Sequence, residues 1–380
     1  MTRASSQDPD AQMPPEVVLI TGFPAFTAKR TANKILSADP TATAFLLARD
    51  VFLDDARKFV DTLPADQRSR VELIGGDVCD MDLGLSGTEY RRLTDEVTTI
   101  QHLAGIYHMG VDKSTAKRVN IEGTRGVIEL AHEVKRLRRL CHWSTASVSG
   151  KRRGVILEDE LDEGQSFHNF YEETKFVAEK LADAAKRKIP VTIFRPSIIV
   201  GDSETGEIDK FDGPYYLIVL IATNALQVHL PLPGRGVAPL NLVPIDYVMD
   251  AAYKLSLDAR AAGKTFHLVD PNPLSARKVY ELVAEHSNTK RPRGFIPGRI
   301  ARTVLRTPGL EKIARAPLAF LESFDQQAFY NSRASHQLLR DTDIDCPAFD
   351  SYADRLVKYV REVHESKQQR LEDEVFDPFD

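Results

Sequence analysis

Short apolar runs rich in β-branched residues alternate with amphipathic stretches through the first half of the chain. Runs of this length are typical of buried strands, and the stretches between them repeat apolar positions every three or four residues, as helices do. The pattern predicts strands at residues 17–20, 44–47, 71–74, 98–103, 139–143 and 191–194, with helices at 29–37, 54–62, 86–94, 115–134 and 171–186. Their strict alternation predicts an α/β fold with a Rossmann-like, doubly wound parallel sheet.

The alternation stops after residue 201, and the second half is less regular. Residues 202–214 are polar and predict a loop able to close over a substrate. The apolar run at 215–228 predicts a helix, either a buried core helix or a lipid-binding wall. Residues 241–248 predict the start of a helix, 265–269 a last strand, and 320–330 and 352–363 two closing amphipathic helices.

Composition and charge exclude several classes of protein. The 380 residues are 42% hydrophobic and 28% charged, as in an ordinary globular chain of one or two domains. A net charge of −5 argues against a general nucleic-acid binder, and no apolar run reaches the length of a transmembrane helix. Cys79, Cys141 and Cys346 have neither disulfide nor metal-ligand spacing. We therefore expect a cytoplasmic protein without a metal.

The first strand ends in a candidate phosphate-binding turn at Thr21 and Gly22. Gly22 suits the tight turn, and Ala28 adds only a methyl group where the helix packs on the strand. The middle glycine of the fingerprint lets the backbone approach a pyrophosphate, and Ala25 stands in its place. Two hypotheses stay open: a dinucleotide-binding turn, and a degenerate turn that binds nothing.

The end of the second strand carries the signal for cofactor choice. An acidic residue there would bind the ribose 2′-hydroxyl of NAD(H), whereas an arginine accommodates the 2′-phosphate of NADP(H). Arg49 therefore favours NADP(H), and Lys29 and Arg30 would add positive charge. Asp50, one residue later, keeps NAD(H) as the less favoured alternative, and a solvated strand end is the other interpretation of Arg49.

A phenol and an ammonium group, Tyr171 and Lys175, stand one helical turn apart. A nearby ammonium favours a phenolate, so we expect Lys175 to lower the pKa of Tyr171. A hydroxyl at the end of a strand, Thr145 or Ser144, would hold a carbonyl oxygen beside the phenol. Tyr-x-x-x-Lys also occurs as a chance surface pair, so the hypothesis depends on its combination with these hydroxyls and the nucleotide turn. Together they favour hydride transfer between a nicotinamide and a carbonyl carbon.

Residues 290–315 are strongly basic, with apolar residues interspersed. Three interpretations stay open: a solvated helical face, a membrane-surface helix in peripheral contact with lipid, and a patch for the phosphates of CoA or an acyl carrier protein.

Several segments resemble the extended short-chain dehydrogenase/reductases in order and spacing: Gly22, Asp77-Val78, His102-Leu103-Ala104-Gly105, Asn120, Thr145, Tyr171, Lys175 and Arg195-Pro196-Ser197. Others are similar to the male-sterility-type branch, which contains thioester reductase domains and fatty acyl-CoA reductases: Gly76-Asp77-Val78 with Leu83-Gly84-Leu85-Ser86, His142-Trp143-Ser144-Thr145-Ala146, and the loop from Val200 to Gly206. The resemblance covers residues 16–270 well and the remainder poorly.

The resemblance implies a role for each matched residue. Thr145 would orient the carbonyl, Tyr171 would be the general acid, and Lys175 would hold the nicotinamide ribose. The implied cofactor contacts are Thr21, Gly22, Phe23, Phe26 and Arg49 after the first two predicted strands, Asp77 and Val78 at the adenine, Ala104 and Gly105 on the adenosine side, Asn120, which would kink or hydrate its helix near Lys175, and Pro196 and Ile198 at the nicotinamide.

The resemblance also implies that residues 239–270 pack back on the nucleotide-binding part. We therefore expect a disordered leader at 1–15, a Rossmann domain at 16–200, an interleaved, mainly helical substrate-binding part at 201–238 and 271–365, and an acidic tail at 366–380.

The leading functional hypothesis is an NADP(H)-dependent reductase of a carbonyl substrate, in particular an acyl thioester on CoA or an acyl carrier protein, which would yield an aldehyde or an alcohol. The alternatives are an NAD(P)-dependent hydroxy-group dehydrogenase, an epimerase or dehydratase of the same fold, and a non-catalytic binding protein with a degenerate glycine turn.

Overall fold

The computed structural model describes residues 15–107, 111–224, 227–296 and 326–375. The strands in these ranges are β1 (Val17–Phe23), β2 (Thr43–Ala48), β3 (Val71–Gly75), β4 (Thr99–His102), β5 (Arg139–Trp143), β6 (Gly154–Ile156), β7 (Val191–Pro196), β8 (Ile198–Val200), β9 (Leu232–Pro233), β10 (Leu242–Pro244), β11 (Thr265–Leu268), β12 (Phe295–Ile296) and β13 (Ala328–Tyr330). The helices are α1 (Phe26–Ala38), α2 (Leu53–Thr62), α3 (Ala65–Arg68), α4 (Gly87–Glu96), α5 (Lys113–Ala116), α6 (Gly123–Glu133), α7 (Phe170–Ala185), α8 (Tyr215–Ala222), α9 (Ile245–Leu257), α10 (Ala276–His286), α11 (Arg333–Leu339) and α12 (Ala353–Val375).

Seven of the strands form one parallel sheet in the order β3-β2-β1-β4-β5-β7-β11. The chain order reverses between β1 and β4, and ligands of open α/β sheets bind in the crevice at such a switch point. The predicted doubly wound α/β fold is therefore confirmed, and the crevice lies at the carboxyl ends of β1, β4 and β5.

Helix α1 follows β1 and packs against the sheet and against α9. Its buried residues recur on one face, as expected for an amphipathic helix: Ala28, Thr31, Ala32, Ile35 and Leu36. Burial of a large aliphatic side chain such as Ile35 contributes about 1.5–3 kcal/mol, which fixes the helix, and with it the turn that precedes it.

A second hydrophobic core lies outside the seven-stranded sheet. It is formed mainly by α8, α10 and α12, with Tyr215, Ile218, Tyr280, Leu356 and Val360 fully buried in it. Strand β8 follows β7 in the chain and pairs with β10, and both strands contribute side chains to this core. A helical layer therefore begins next to the carboxyl edge of the main sheet.

The C-terminal segment corrects one prediction. Residues 320–330 were expected to be helical, but Ala328–Tyr330 is a strand that pairs with β6. Backbone bonds on both sides of β13, from Gly154 N to Gln327 O at 2.7 Å and from Asn331 N to Ile156 O at 2.9 Å, extend the pairing. Residues 320–325, and the basic segment from 297 onward, lie outside the described residues.

Two predicted helices differ in length or geometry. The helix expected at 215–228 ends at Ala222, because Thr223 leaves the helical conformation (φ −102°, ψ 16°). The helix expected at 115–134 contains a π-helical turn over Lys117–Glu122. This turn holds Asn120, where the resemblance implies a kinked or hydrated helix.

Candidate active site

The side chains of Thr145 and Tyr171 lie close enough for the threonine hydroxyl to affect the pKa of the phenol. Thr145 is the second residue after β5 and accepts a bond from the Ser147 amide at 3.2 Å, which fixes its side chain near the end of the strand. Tyr171 lies in the first turn of α7, where Asn169 caps the helix by accepting from Glu172 N at 2.9 Å. A strand end and a helix start therefore hold the two hydroxyls together.

Lys175 lies one turn beyond Tyr171 on α7 and is buried. Its ammonium group donates to the carbonyl oxygen of Trp143 at 2.5 Å. Burial lowers the pKa of Lys175 to about 8, and the negative charge of Glu179 opposes the shift. The lysine therefore keeps its charge at neutral pH but loses it in mildly alkaline solution.

The expectation that Lys175 lowers the pKa of Tyr171 is wrong for this structure. Burial raises the pKa of Tyr171 to about 12, the Thr145 hydroxyl opposes the shift, and the charge of Glu172 adds to it. The loss of water around the phenol is the largest cause, and the ammonium of Lys175 is directed at a backbone carbonyl. Tyr171 is thus a protonated phenol at neutral pH, suited to donate a hydrogen bond or a proton.

Asn120 joins the π-helical turn to the loop after β4. Its side chain accepts from Ile106 N at 2.8 Å and donates to Ile106 O at 3.2 Å and to the hydroxyl of Thr174 at 3.0 Å. A Cβ atom at Gly105 would lie 3.2 Å from Asn120 Oδ1 and 3.8 Å from Lys175 Nζ. Gly105, Asn120 and Lys175 therefore meet at one place beside the catalytic candidates.

A chain of hydrogen bonds connects Asn120 to the glycine turn. Ala104 N donates to the hydroxyl of Thr21 at 3.2 Å, and that hydroxyl lies 2.9 Å from His102 Nδ1. On the other side of the ring, His102 Nε2 lies 3.0 Å from the Thr124 hydroxyl, which donates to Asn120 O at 2.7 Å. Burial lowers the pKa of His102 to about 3. The neutral ring, with its proton on Nε2, satisfies every bond in this chain.

Gly22 lies directly against the loop after β4. Its φ is +83°, and a Cβ atom there would lie 2.6 Å from Ala104 N, so a side chain is excluded by both conformation and contact. The following helix α1 begins after the exposed Ala25, and no described side chain caps its N-terminus or places an acid in its first turn. Helix amides at such a terminus bind anions. The turn therefore has features that suit a phosphate despite Ala25. The side chain of Ala28 is fully buried.

The residues considered for the 2′-phosphate lie at the end of β2 and on α1. Arg49 is exposed, with its guanidinium 4.8 Å from the Phe52 ring centroid. Asp50 turns towards β3, where its Oδ1 lies 2.9 Å from the position of a Cβ atom on Gly75. Arg30 is ion-paired with Asp202 and Glu207 at 3.2 and 2.7 Å, so its charge is offset within the protein.

The other residues predicted to contact the cofactor also lie at or just after the carboxyl ends of strands. Their side chains differ in exposure. Asp77 is partly exposed and accepts from Cys79 N at 3.0 Å, whereas Val78 is buried. Pro196 ends β7 and is buried, and Ile198 is partly exposed. The side chain of Phe23 is buried against Phe59, with ring centroids 5.2 Å apart, and Phe26 lies 5.2 Å from the guanidinium of Arg30.

A buried ion pair beneath the site was missed in the sequence. Glu179 accepts from Arg195 Nε at 2.8 Å and Arg195 Nη2 at 2.6 Å, and from the hydroxyl of Ser144. The sequence spacing could have indicated Glu179, because it follows Lys175 by four residues and so lies on the same face of α7.

In the ranges that the structure describes, no group of three or more His, Cys, Asp and Glu residues is arranged to hold a metal ion. Over the same ranges, no helix has the length and apolar character needed to cross a membrane.

A Rossmann sheet with a tyrosine–lysine helix beside a strand-end threonine defines the class of extended short-chain dehydrogenase/reductases. Comparison with known families agrees: residues 20–252 match the model of an NAD-binding family described as male sterility protein. The chain belongs to this family. The predicted branch is therefore confirmed.

Similar proteins include several reductases and peptide synthetases. Fatty acyl-CoA reductase wat of Drosophila melanogaster is 27% identical over 274 residues, 62% of this chain and 52% of that protein. A linear gramicidin synthase of Brevibacillus parabrevis is 27% identical over 302 residues, 75% of this chain and 6% of that protein. The chain thus spans about half, or much less, of the length of these relatives.

Two solved structures illustrate the likeness of fold. The terminal R domain from the myxalamid PKS-NRPS biosynthetic pathway has a TM-score of 0.78 at 25% identity, over 92% of this chain and 91% of that one. UDP-glucuronic acid 4-epimerase from Bacillus cereus, in complex with NAD, has a TM-score of 0.65 at 16% identity, over 91% of this chain and 99% of that one. The second likeness shows the fold alone.

Proposed function

We propose that the protein is an NADP(H)-dependent reductase of acyl thioesters carried by CoA or an acyl carrier protein. The observation that carries the proposal is the proximity of the Thr145 hydroxyl to the phenol of Tyr171, with the buried Lys175 one turn away. Two hydroxyls aimed at one place provide two donors for a single carbonyl oxygen, which is what reduction of a carbonyl requires.

The residues present fit a dinucleotide. The uncapped start of α1 and the Gly22 turn would bind the pyrophosphate, and Arg49 the 2′-phosphate. Asn120 and Lys175, which meet at Gly105, would bind the nicotinamide ribose. The other proposed contacts are Thr21, Phe23, Phe26, Asp77, Val78, Ala104, Pro196 and Ile198. When bound, the nicotinamide supplies a hydride to the carbonyl carbon.

Tyr171 would act as the general acid. Its raised pKa keeps the phenol protonated, so that it donates first a hydrogen bond and then a proton to the oxygen that gains charge as the carbon is reduced. Thr145 would donate a second hydrogen bond to the same oxygen. The ammonium of Lys175 would stabilise the negative charge that the phenol acquires. Reduction of a thioester in this way gives a thiohemiacetal, which releases the thiol and an aldehyde.

The choice of a thioester is supported by the relatives. The fatty acyl-CoA reductase has a name that points to reduction of a CoA-bound acyl group, and the R domain that covers nine-tenths of this chain comes from a PKS-NRPS biosynthetic pathway. The three cysteines are free thiols, which supports the proposal of a cytoplasmic protein.

The test is NADPH consumption by the purified protein with acyl-CoA and carrier-bound acyl thioesters of matched chain length, together with fluorescence titrations of NADPH and NADH. Thioester-dependent oxidation of NADPH, abolished in Tyr171→Phe, is expected. Binding of neither dinucleotide would overturn the proposal in favour of a non-catalytic protein. Oxidation of a hydroxy substrate without thioester reduction would replace it with the dehydrogenase alternative.

A further inference from the structure

Helix α7 presents three ionisable residues along one face: Tyr171, Lys175 and Glu179, each four residues from the next. Tyr171 and Lys175 have roles in the proposed reaction, whereas Glu179 has none. Glu179 is fully buried, and a buried carboxylate persists only where charge and hydrogen bonds compensate for the loss of water.

Arg195 on β7 supplies that compensation. Its guanidinium is buried, donates twice to Glu179, and donates to the carbonyl oxygens of Glu158 and Glu160 at 3.4 and 2.8 Å. Its Nη1 also lies 3.3 Å from His267 Nε2. The pair is therefore held in one geometry by two neighbouring strands and the segment after β6, which gives Glu179 a fixed position relative to β5.

The second oxygen of Glu179 accepts from the hydroxyl of Ser144. Ser144 is also held through its backbone, because its amide donates to Phe194 O at 2.8 Å. Successive side chains of an extended segment point to opposite sides, so a fixed inward Ser144 directs Thr145 the other way, towards Tyr171. Glu179 thus reaches the reacting hydroxyls through the residue next to Thr145.

Glu179 also acts on Lys175 through charge. Its carboxylate raises the pKa of Lys175 against the larger, opposite effect of burial. Among the other described groups near this lysine are the neutral His102 and His142, whose pKa values burial lowers. The carboxylate of Glu179 is thus the negative charge that favours the protonated form of Lys175.

We propose that Glu179 is a positioning residue of the active site: its carboxylate holds Ser144, and through it Thr145, in place, and its charge supports the ammonium of Lys175. The kinetic consequences of this inference rest on the proposed reductase function. The effect of Glu179 on Lys175 does not, because it can be measured without a substrate.

The experiment compares Glu179→Gln with the control Asp183→Asn on the same helix, where Asp183 is exposed and pairs at the surface with Lys186 at 2.9 Å. The titration of Lys175 is followed by nitrogen NMR of labelled lysine, with Lys175→Arg used to assign the signal. We expect a lower pKa for Lys175 in Glu179→Gln and no change in the control. An unchanged pKa would overturn the charge support.

Turnover gives the second measurement. A displaced Thr145 should reduce kcat about 10- to 100-fold in Glu179→Gln, and the alkaline decline of kcat should move to lower pH, because Lys175 loses its proton sooner. Unchanged kcat and pH profile in a folded variant would overturn the inference. A wild-type protein that reduces no thioester would instead contradict the proposed function and leave the NMR result to decide the role of Glu179.

Glu179→Gln leaves Arg195 buried without its counter-charge, which endangers folding. Ser144→Ala therefore serves as a second variant, because it keeps the ion pair and removes only the hydroxyl that links it to the Thr145 segment. We expect about a tenfold lower kcat with unchanged NADPH affinity and a small change in Tm. Wild-type kcat in Ser144→Ala would overturn the positioning of Thr145 by Glu179.

Discussion

The ammonium of Lys175 lies 2.5 Å from the carbonyl oxygen of Trp143 and donates a charge-assisted hydrogen bond to it. Trp143 is itself fixed, because its indole donates to Gln101 Oε1 at 2.9 Å. The bond therefore ties α7 to the end of β5, two residues before Thr145. This bond holds the segment of Thr145 against the helix of Tyr171, and such preorganisation lowers the cost of reaching a transition state.

Removal of the Tyr171 hydroxyl tests the general acid. Tyr171→Phe should lower kcat about 10²- to 10⁴-fold, the usual contribution of a positioned proton donor, because Thr145 alone cannot supply the proton. NADPH affinity, measured by fluorescence titration, should stay close to that of the wild type. Turnover at the wild-type rate in this variant would contradict the assignment.

The pKa of Lys175 predicts a pH profile. With its pKa lowered to about 8, Lys175 is charged below that pH and neutral above it, so kcat/KM should fall as the pH rises through 8. Tyr171, with its pKa raised to about 12, stays protonated over this range. Lys175→Arg keeps a positive charge at higher pH and should move the decline upwards. A profile without an alkaline decline would show that the charge of Lys175 is not needed.

Gly22 should not tolerate a side chain. Gly22→Ala places a Cβ atom 2.6 Å from Ala104 N at a positive φ, which costs about 1–2 kcal/mol from conformation alone. We expect a lower Tm and weakened dinucleotide binding. The matched control is Gly87→Ala, since a Cβ atom there meets nothing within 4 Å and should neither lower Tm nor weaken dinucleotide binding. Equal effects of the two changes would contradict a special role for the turn.

Arg49 should distinguish the two dinucleotides. A charge-assisted bond to the 2′-phosphate contributes about 1.5–3 kcal/mol, so Arg49→Ala should weaken NADPH binding by about one to two orders of magnitude and NADH binding little. The control is Arg57→Ala on α2, an exposed arginine paired with Asp54 at 2.9 Å. Equal losses for NADPH and NADH in Arg49→Ala would refute the preference for NADP(H).

Features that depend on local spacing were predictable from the sequence. Alternating apolar and amphipathic segments predicted the parallel sheet because each buried strand and each amphipathic helix shows its own period within a few residues. The spacing of Tyr171 and Lys175 predicted their common helix face in the same way. The roles of these residues and the domain boundaries stay predictions.

Other features were decided only by packing between distant segments. Ala328–Tyr330 is a strand rather than part of a helix because β6, far earlier in the chain, offers an open edge to pair with. The high pKa of Tyr171 arises from the amount of protein around the phenol, and sequence spacing contains no measure of that burial. The Glu179–Arg195–Ser144 cluster joins a helix to two strands that lie side by side only after the crossovers are made. The sequence alone predicted which residues would carry the chemistry, and the tertiary structure decided their burial and the contacts that hold them.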